Sequence, residues 1–251
     1  HTAVMRLSDA AGFARRDQWV PGEEHPVPAI DAALLAAAPQ SEAVSADVRE
    51  IVSRCEATAG LTEADVTRLF NVRGHDFSYV VAEANRLREA VNGDTVSYVV
   101  NRNINYTNVC YFKCQFCAFS KGKQSENLRG RPYDISGEDI AARCSEAWER
   151  GATEVCMQGG IHPDYTGQTY LDILHTVRSV TPGMHIHAFS PLEVWQGAAT
   201  SGISVPEFLR RLRAAGLNTL PGTAAEILHD EVRASLCPDK LNTAQWLEVM
   251  A

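Results

Sequence analysis

Three of the seven cysteines fall within eight residues: Cys110, Cys114 and Cys117, spaced C-x3-C-x2-C inside the run Asn101 to Lys123, NRNINYTNVCYFKCQFCAFSKGK. Thiolates this close on one loop can converge on a single metal centre. Structural zinc takes four ligands, commonly as two separated pairs, and no fourth partner stands beside this triplet. A four-iron cluster has four corners, normally capped by four cysteine thiolates. Three local thiolates would leave one iron open to a small molecule. A zinc-type knot and a reduced, metal-free triplet are the alternatives, the second opposed by the ease with which crowded thiols oxidise.

Other residues invite chemistry with a plainer reading beside it. Gly159-Gly160 ends an apolar run, and such a pair either lets backbone approach a ligand or simply makes a turn. His185 and His187 alternate along a strand and share one side of it. They read as a two-His metal site or as a hydrogen-bonded pair lining a cavity. Glu193 follows that strand; buried without a partner it would be costly, so it is expected to contact a ligand such as a ribose hydroxyl. Glu226 has the same two readings. Arg102, Tyr106 and Asn108 flank the triplet and either orient substrate or shape the loop. Lys121, Lys123, Arg129 and Arg131 form the richest basic patch, a solvated loop or an anchor for an anionic or polyhydroxylated ligand. Cys55, Cys144 and Cys156 read as core residues, and Cys237, before Pro238, as structural.

The elements that must position these residues follow from periodicity and punctuation. Gln40–Ala57, Leu61–Phe70 (N-capped by Thr62) and Phe77–Val91 read as helices, the last stopped by Asn92-Gly93. Thr95–Val100, Glu154–Gln158, Met184–Phe189 and Leu217–Leu220 read as strands. Between and after them, Ser136–Arg150, Thr169–Val180, Ser204–Ala215, Ala224–Asp230 and Thr243–Met250 read as helices. Strands alternating with helices at these lengths imply parallel βα units. In a βα barrel the loops after the strands share one face, where active sites sit. The cysteine triplet, residues 158–163, residues 190–193 and residues 221–226 would then line one cavity. The expected organisation is a linker or the tail of a preceding domain over 1–44, a helical segment over 45–94, and an α/β barrel over 95–251.

The 251 residues suffice for one large α/β domain and an appendage. With 45% hydrophobic and 22% charged residues the composition is that of an ordinary globular protein. A formal net charge of -8 and no long basic block argue against nucleic-acid binding. No apolar run reaches the ~18 residues that span a membrane. Seven irregularly spaced cysteines do not suggest a secreted disulfide scaffold, so a reducing, cytoplasmic setting is expected. The chain opens on His1, and residues 18–28 have the Pro, Gly and Glu content of a linker. This reads as a piece of a longer polypeptide, with the barrel truncated after about four βα units.

The triplet with Phe116 before its last cysteine resembles the signature of the radical S-adenosylmethionine (radical SAM) superfamily. The resemblance implies a partial (βα) barrel of TIM type, a [4Fe-4S] cluster on Cys110, Cys114 and Cys117, and S-adenosyl-L-methionine (SAM) on the open iron. One electron then cleaves SAM to a 5′-deoxyadenosyl radical. It implies cofactor contacts from Phe116, Gly159, Gly160 and Glu193. Gly159-Gly160 resembles the motif that binds SAM's amino group, with Ile161 where that motif usually has Glu. Further blocks, MQGGIHPDYTGQTY, HIHAFSPLEV, AGLNTLPGTAAEIL and CPDK, resemble one subfamily from about Thr62 onward. That subfamily holds the 4-hydroxyphenyl transferase half of FO synthases, which make the 5-deazaflavin chromophore, and two menaquinone (futalosine) pathway enzymes. Gly222-Thr223-Ala224-Ala225-Glu226-Ile227 and Tyr111-Phe112-Lys113 are similar to the deazaflavin branch. That branch implies L-tyrosine and 5-amino-6-(D-ribitylamino)uracil as substrates, a reductant protein, and a fused or separate ring-closing radical SAM partner. A non-catalytic metal-binding domain is the alternative from another class.

Overall fold

The computed structural model describes residues 43–56, 60–112, 114, 116, 117 and 131–251. The expected linker before residue 43, and Lys121, Lys123 and Arg129 of the basic patch, lie outside the described residues. The chain divides into two compact units after Val96.

The described part of the first unit is three helices: α1 (Ala46–Glu56), α2 (Glu63–Phe70) and α3 (Gly74–Asn92). Thr62 caps α2 as expected, in a reciprocal box with Asp65 that satisfies two orphan backbone donors. A small core of Val44, Val48 and Val72 is backed by Leu69, Tyr79 and Val80. Ser45 donates twice to the Asp76 carboxylate, at 2.7 and 2.8 Å, tying the entry of α1 to α3. These donors hold the Asp76 carboxyl below its usual range.

The second unit runs from Ser97 to Ala251. Its strands are β1 (Asn101–Asn105), β2 (Glu154–Gln158) and β3 (His185–Ala188), parallel and in that order. Asn101 sits opposite Glu154, and Glu154 opposite His185. The helices are α4 (Gly137–Glu149), α5 (Gly167–Val180), α6 (Pro191–Ser201), α7 (Val205–Ala215), α8 (Asp230–Leu236) and α9 (Thr243–Met250). Ile104, Val155, Met157, Ile186 and Ala188 from the strands meet Ile140, Cys144, Tyr170, Leu174, Val177, Phe208 and Leu212 from the helices in one buried core. Each such large apolar side chain contributes roughly 1.5–3 kcal/mol on burial. The alternation of α and parallel β, with the helices packed on the strands, is the partial (βα) barrel expected from the sequence.

Four local expectations differ from what is observed. The first strand is Asn101–Asn105, not Thr95–Val100; Val96 and Tyr98 are more than four-fifths exposed, so β-branched content there finds no sheet to join. The fourth strand shrinks to one parallel bridge, His187 with Thr219. Ala224–Asp230 is not a helix, because Ala224 and Glu226 take positive φ, and α8 begins only at Asp230. Helix α6 was not expected at all, although Ser190-Pro191-Leu192-Glu193 spells its capping box with proline in the first turn. Among the described residues no helix is long and apolar enough to cross a membrane.

Candidate functional site

The three parallel strands deliver their C-terminal ends to one side, and the next residues of each are stitched together there. Leaving β1, Tyr106 donates its amide to Gln158 at the end of β2, at 3.3 Å. Gly160 donates back to Thr107 at 2.9 Å, and Tyr111 donates to Ile161 at 3.1 Å. The cysteine loop and the Gly-Gly loop therefore run as a ladder beyond the sheet. Asn108 closes the other flank: its side chain donates to Arg131 at 3.1 Å and accepts from the Tyr133 amide at 2.8 Å. Tyr106 and Asn108 thus shape the loop. Arg102, nearer the start of β1, pairs with Glu146 on α4 at 2.7 Å.

Both glycines are required by these contacts. A Cβ on Gly159 would come within 2.3 Å of the Tyr106 ring, and one on Gly160 within 2.2 Å of the Val109 carbonyl and 2.9 Å of Cys110 Cβ. The close approach read from the sequence is made, at least in part, to the protein's own cysteine loop.

Glu193 ties in the third strand end. It is 1% exposed, at the start of α6. One carboxylate oxygen accepts from the Gly159 amide at 3.1 Å and from the Tyr106 hydroxyl. The other accepts from the Ser190 amide and hydroxyl, both at 2.6 Å. A ribose hydroxyl at this position would have to displace one of these donors. Burial pushes the Glu193 carboxyl up to about 8, against the pull of the Ser190 and Gly159 amides.

Cys114 is buried, and Cys110 and Cys117 are partly so. All three belong to one apolar group with Phe112, Ile161, Leu192, Leu241 and Cys237. Ile161, where the family motif usually has Glu, is thus part of the wall around the thiols. Burial raises Cys110 and pushes Cys114 up to about 11, with Lys240 pulling the other way on both. The Cys110 and Cys114 thiols thus favour their protonated forms until a metal takes the proton's place, since a coordinating thiol is deprotonated outright. Among the described residues no three His, Cys, Asp or Glu side chains gather round a single ion position. The donor set fits a cluster that takes one thiolate at each of three irons: three thiols on one loop, in apolar surroundings, with a cation beside them. Phe116 is half-exposed and carries the Lys240 ammonium 5.3 Å from its ring centroid.

The histidine pair is joined by one hydroxyl. Thr219 Oγ1 lies 2.9 Å from His185 Nε2 and 2.7 Å from His187 Nδ1, the hydrogen-bonded arrangement rather than a two-His metal site. Cys144 is fully buried in the core, as expected. Sequence reasoning places residues 221–226 at the site but assigns no role to Arg233 or Lys240. Arg233, 3% exposed, donates to the carbonyls of Ala224, Ala225, Ile227 and Leu241. Glu226 accepts from Lys240 at 2.6 Å. The block Cys-Pro-Asp-Lys is the available signal: its cysteine, structural by sequence, packs into the same apolar group as the triplet.

A parallel βα fold with a three-cysteine loop at one strand end and a glycine pair bonded to the start of that loop at the next is a candidate cofactor site on a partial barrel. Residues 104–251 match the family model described as the Radical SAM superfamily, and the chain belongs to that superfamily. It is 46% identical over 210 residues to an FO synthase of Streptomyces avermitilis, covering 83% of this chain and 24% of that protein. It is 49% identical over 173 residues to a 5-amino-6-(D-ribitylamino)uracil–L-tyrosine 4-hydroxyphenyl transferase of a Cyanothece species, covering 67% of this chain and 44% of that protein. The chain therefore spans about a quarter of the FO synthases it matches. Among solved structures, HydG, a maturase of the [FeFe]-hydrogenase, superposes with a TM-score of 0.63 at 17% identity, over 84% of this chain and 44% of that one, which shows the fold.

Proposed function

We propose that this chain carries the tyrosine-activating site of 5-deazaflavin (FO) biosynthesis. The activity is a radical SAM transferase that cleaves the side chain from L-tyrosine and joins its 4-hydroxybenzyl group to 5-amino-6-(D-ribitylamino)uracil. The observation that carries this reading is the start of the cysteine loop bonded through Thr107 and Tyr111 to Gly160 and Ile161, in a chain 46–49% identical to FO synthase and 4-hydroxyphenyl transferase relatives.

In this reading Cys110, Cys114 and Cys117 hold a [4Fe-4S] cluster, each as the thiolate of one iron. Bound SAM and the reduced cluster supply a 5′-deoxyadenosyl radical, the hard chemistry of the reaction. The chain's own residues bind and shield. Both glycine amides of Gly159-Gly160 are engaged within the protein, so an ammonium group of SAM at this pair is met by carbonyl oxygens. Glu193 fixes Gly159 in place and is itself a candidate cofactor contact. Phe116, with the Lys240 ammonium over its ring, is a further candidate cofactor contact. The apolar wall of Phe112, Ile161, Leu192 and Leu241 excludes water from the radical.

The partners are the two small-molecule substrates, a low-potential reductant protein, and a ring-closing radical SAM domain in the same or a separate polypeptide. The greater length of the FO synthase relatives supports the fused arrangement. Residues 1–44 act as connector, 45–94 as a helical lead-in and 95–251 as the barrel, in the cytoplasm where the cluster stays reduced. The test is anaerobic incubation of the reconstituted protein with SAM, dithionite, L-tyrosine and the ribityluracil. Formation of the 4-hydroxybenzyl adduct from both substrates, seen by mass spectrometry, supports the assignment, with weak turnover at most expected of residues 1–251 alone because the barrel reads as truncated. A cluster-loaded protein that cleaves SAM yet leaves tyrosine intact would contradict the substrate assignment.

A further inference from the structure

The segment 221–241 folds onto the cysteine loop and brings a partly buried charge pair with it. Ala224 and Glu226 hold φ at 63° and 43°, a region that L-residues avoid unless the surroundings impose it. What imposes it is Arg233, whose guanidinium donates to Ala225 at 2.5 Å, Ile227 at 3.0 Å, Ala224 at 3.3 Å and Leu241 at 2.5 and 2.9 Å. The result is that the Glu226 carboxylate lies 2.6 Å from Lys240 Nζ and 3.8 Å from Arg233. The Lys240 side chain is only 10% exposed. Its ammonium sits over the Phe116 ring, next in sequence to Cys117. Its backbone amide donates to Cys237 at 3.1 Å, and Cys237 packs in the same apolar group as the three cysteines.

Burying an ammonium is costly unless a partner offsets it. Glu226 is one partner, but an ion pair alone could sit at the surface at less cost. Here it stands against the loop that carries three thiols. A four-iron cluster on three thiolates is net negative and becomes more so on gaining an electron. Its potential is set by net charge and surroundings, so a nearby cation favours the reduced form.

We propose that Lys240, placed by Glu226 and Arg233, is an electrostatic positioning residue for the three-cysteine centre. Its ammonium raises the centre's reduction potential, and Glu226 sets how much of that charge the centre feels. This rests on the reading of the triplet as a cluster site. The step concerned is the entry of one electron from an external reductant, with no bond made or broken.

The test is an EPR-monitored redox titration of the anaerobically reconstituted protein and of Lys240→Met, Lys240→Arg and Glu226→Gln, after iron and sulfide analysis of each. Lys240→Met is expected to lower the reduction equilibrium constant about tenfold, or ~59 mV for one electron. Lys240→Arg keeps the charge and stays within about threefold of the parent. Glu226→Gln shifts the potential the opposite way from Lys240→Met, because it leaves the ammonium uncompensated. A merely structural pair would move both variants in one direction, through a loosened loop. Shifts of the same sign, or neither variant moving by more than about twofold, would overturn the proposal. If Lys240→Met fails to hold a cluster, Glu226→Gln decides alone: a raised potential supports the proposal and an unmoved or lowered one overturns it. A parent protein that takes up no iron and sulfide removes the cluster reading and this proposal with it, a result distinct from a loaded protein with unmoved potentials.

Discussion

The amide of Gly159 donates to the Glu193 carboxylate at 3.1 Å, linking the end of β2 to the start of α6. The same oxygen takes the Tyr106 hydroxyl from the end of β1. One buried carboxyl thereby fixes three strand ends and the backbone of the glycine pair. Replacing it by Ala leaves two amides and two hydroxyls without a buried acceptor. Each such loss costs about 1–3 kcal/mol, and Glu193→Ala is expected to unfold the barrel well below the parent in a urea titration. Glu193→Gln keeps the shape but turns an amide donor toward protein donors, and should fall between the two.

The pH dependence of stability has a definite sign at this residue. Its folded value, about 8, lies above the ordinary 4.5, so the folded state binds the proton more tightly than the unfolded chain does. The stabilisation is full below about pH 4.5 and is lost as pH rises through about 8. Urea midpoints measured across that window should decline with pH in the parent and decline less in Glu193→Gln. Equal slopes in the two proteins would contradict this.

Gly160 has no room for a side chain, with a Cβ 2.2 Å from the Val109 carbonyl. Gly160→Ala must push the cysteine loop away from β2. The expected outcome is a folded barrel, destabilised by about 1–3 kcal/mol, that retains far less iron after reconstitution. Gly159→Ala pushes on the Tyr106 ring instead and should disturb stability more than loading. Circular dichroism and iron analysis separate the two effects.

The cysteines sort into ligands and packing. Substituting Cys110, Cys114 or Cys117 by Ala should abolish the four-iron signal. Cys144→Ala removes only a buried sulfur from the core, with a cost near 1 kcal/mol and full iron content. Loss of iron in Cys144→Ala with no loss in the other three would reverse the assignment.

Much of this was legible in the residues. The triplet's spacing, the Thr62 cap of α2, and the alternation of strand and helix need only local chemistry. What was not legible depended on tertiary contact. The strand at Asn101–Asn105 is rich in asparagine and forms because β2 lies beside it, whereas TVSYVV just before it has the better propensity but meets the segment before β2 only at Val100, whose carbonyl takes the Thr153 amide. Residues 224–229 contain good helix formers, but the Arg233 guanidinium claims their carbonyls. Glu193 reads as a strand-end ligand in the sequence, and its second role, capping α6 with Ser190 and holding Gly159, becomes visible only in the fold. Lys240 closes the block Cys-Pro-Asp-Lys, but its role is not local, since its ammonium lies over Phe116, more than a hundred positions earlier.

The central claim is that Cys110, Cys114 and Cys117 hold an iron–sulfur cluster with one iron open to SAM. The most direct measurement is low-temperature EPR of the anaerobically reconstituted, dithionite-reduced protein, with and without SAM, alongside iron and sulfide analysis. The account predicts close to four iron and four sulfide per chain, and a reduced cluster signal whose g-values change when SAM is added. Zinc without sulfide, or a cluster signal that SAM leaves unchanged, would contradict it.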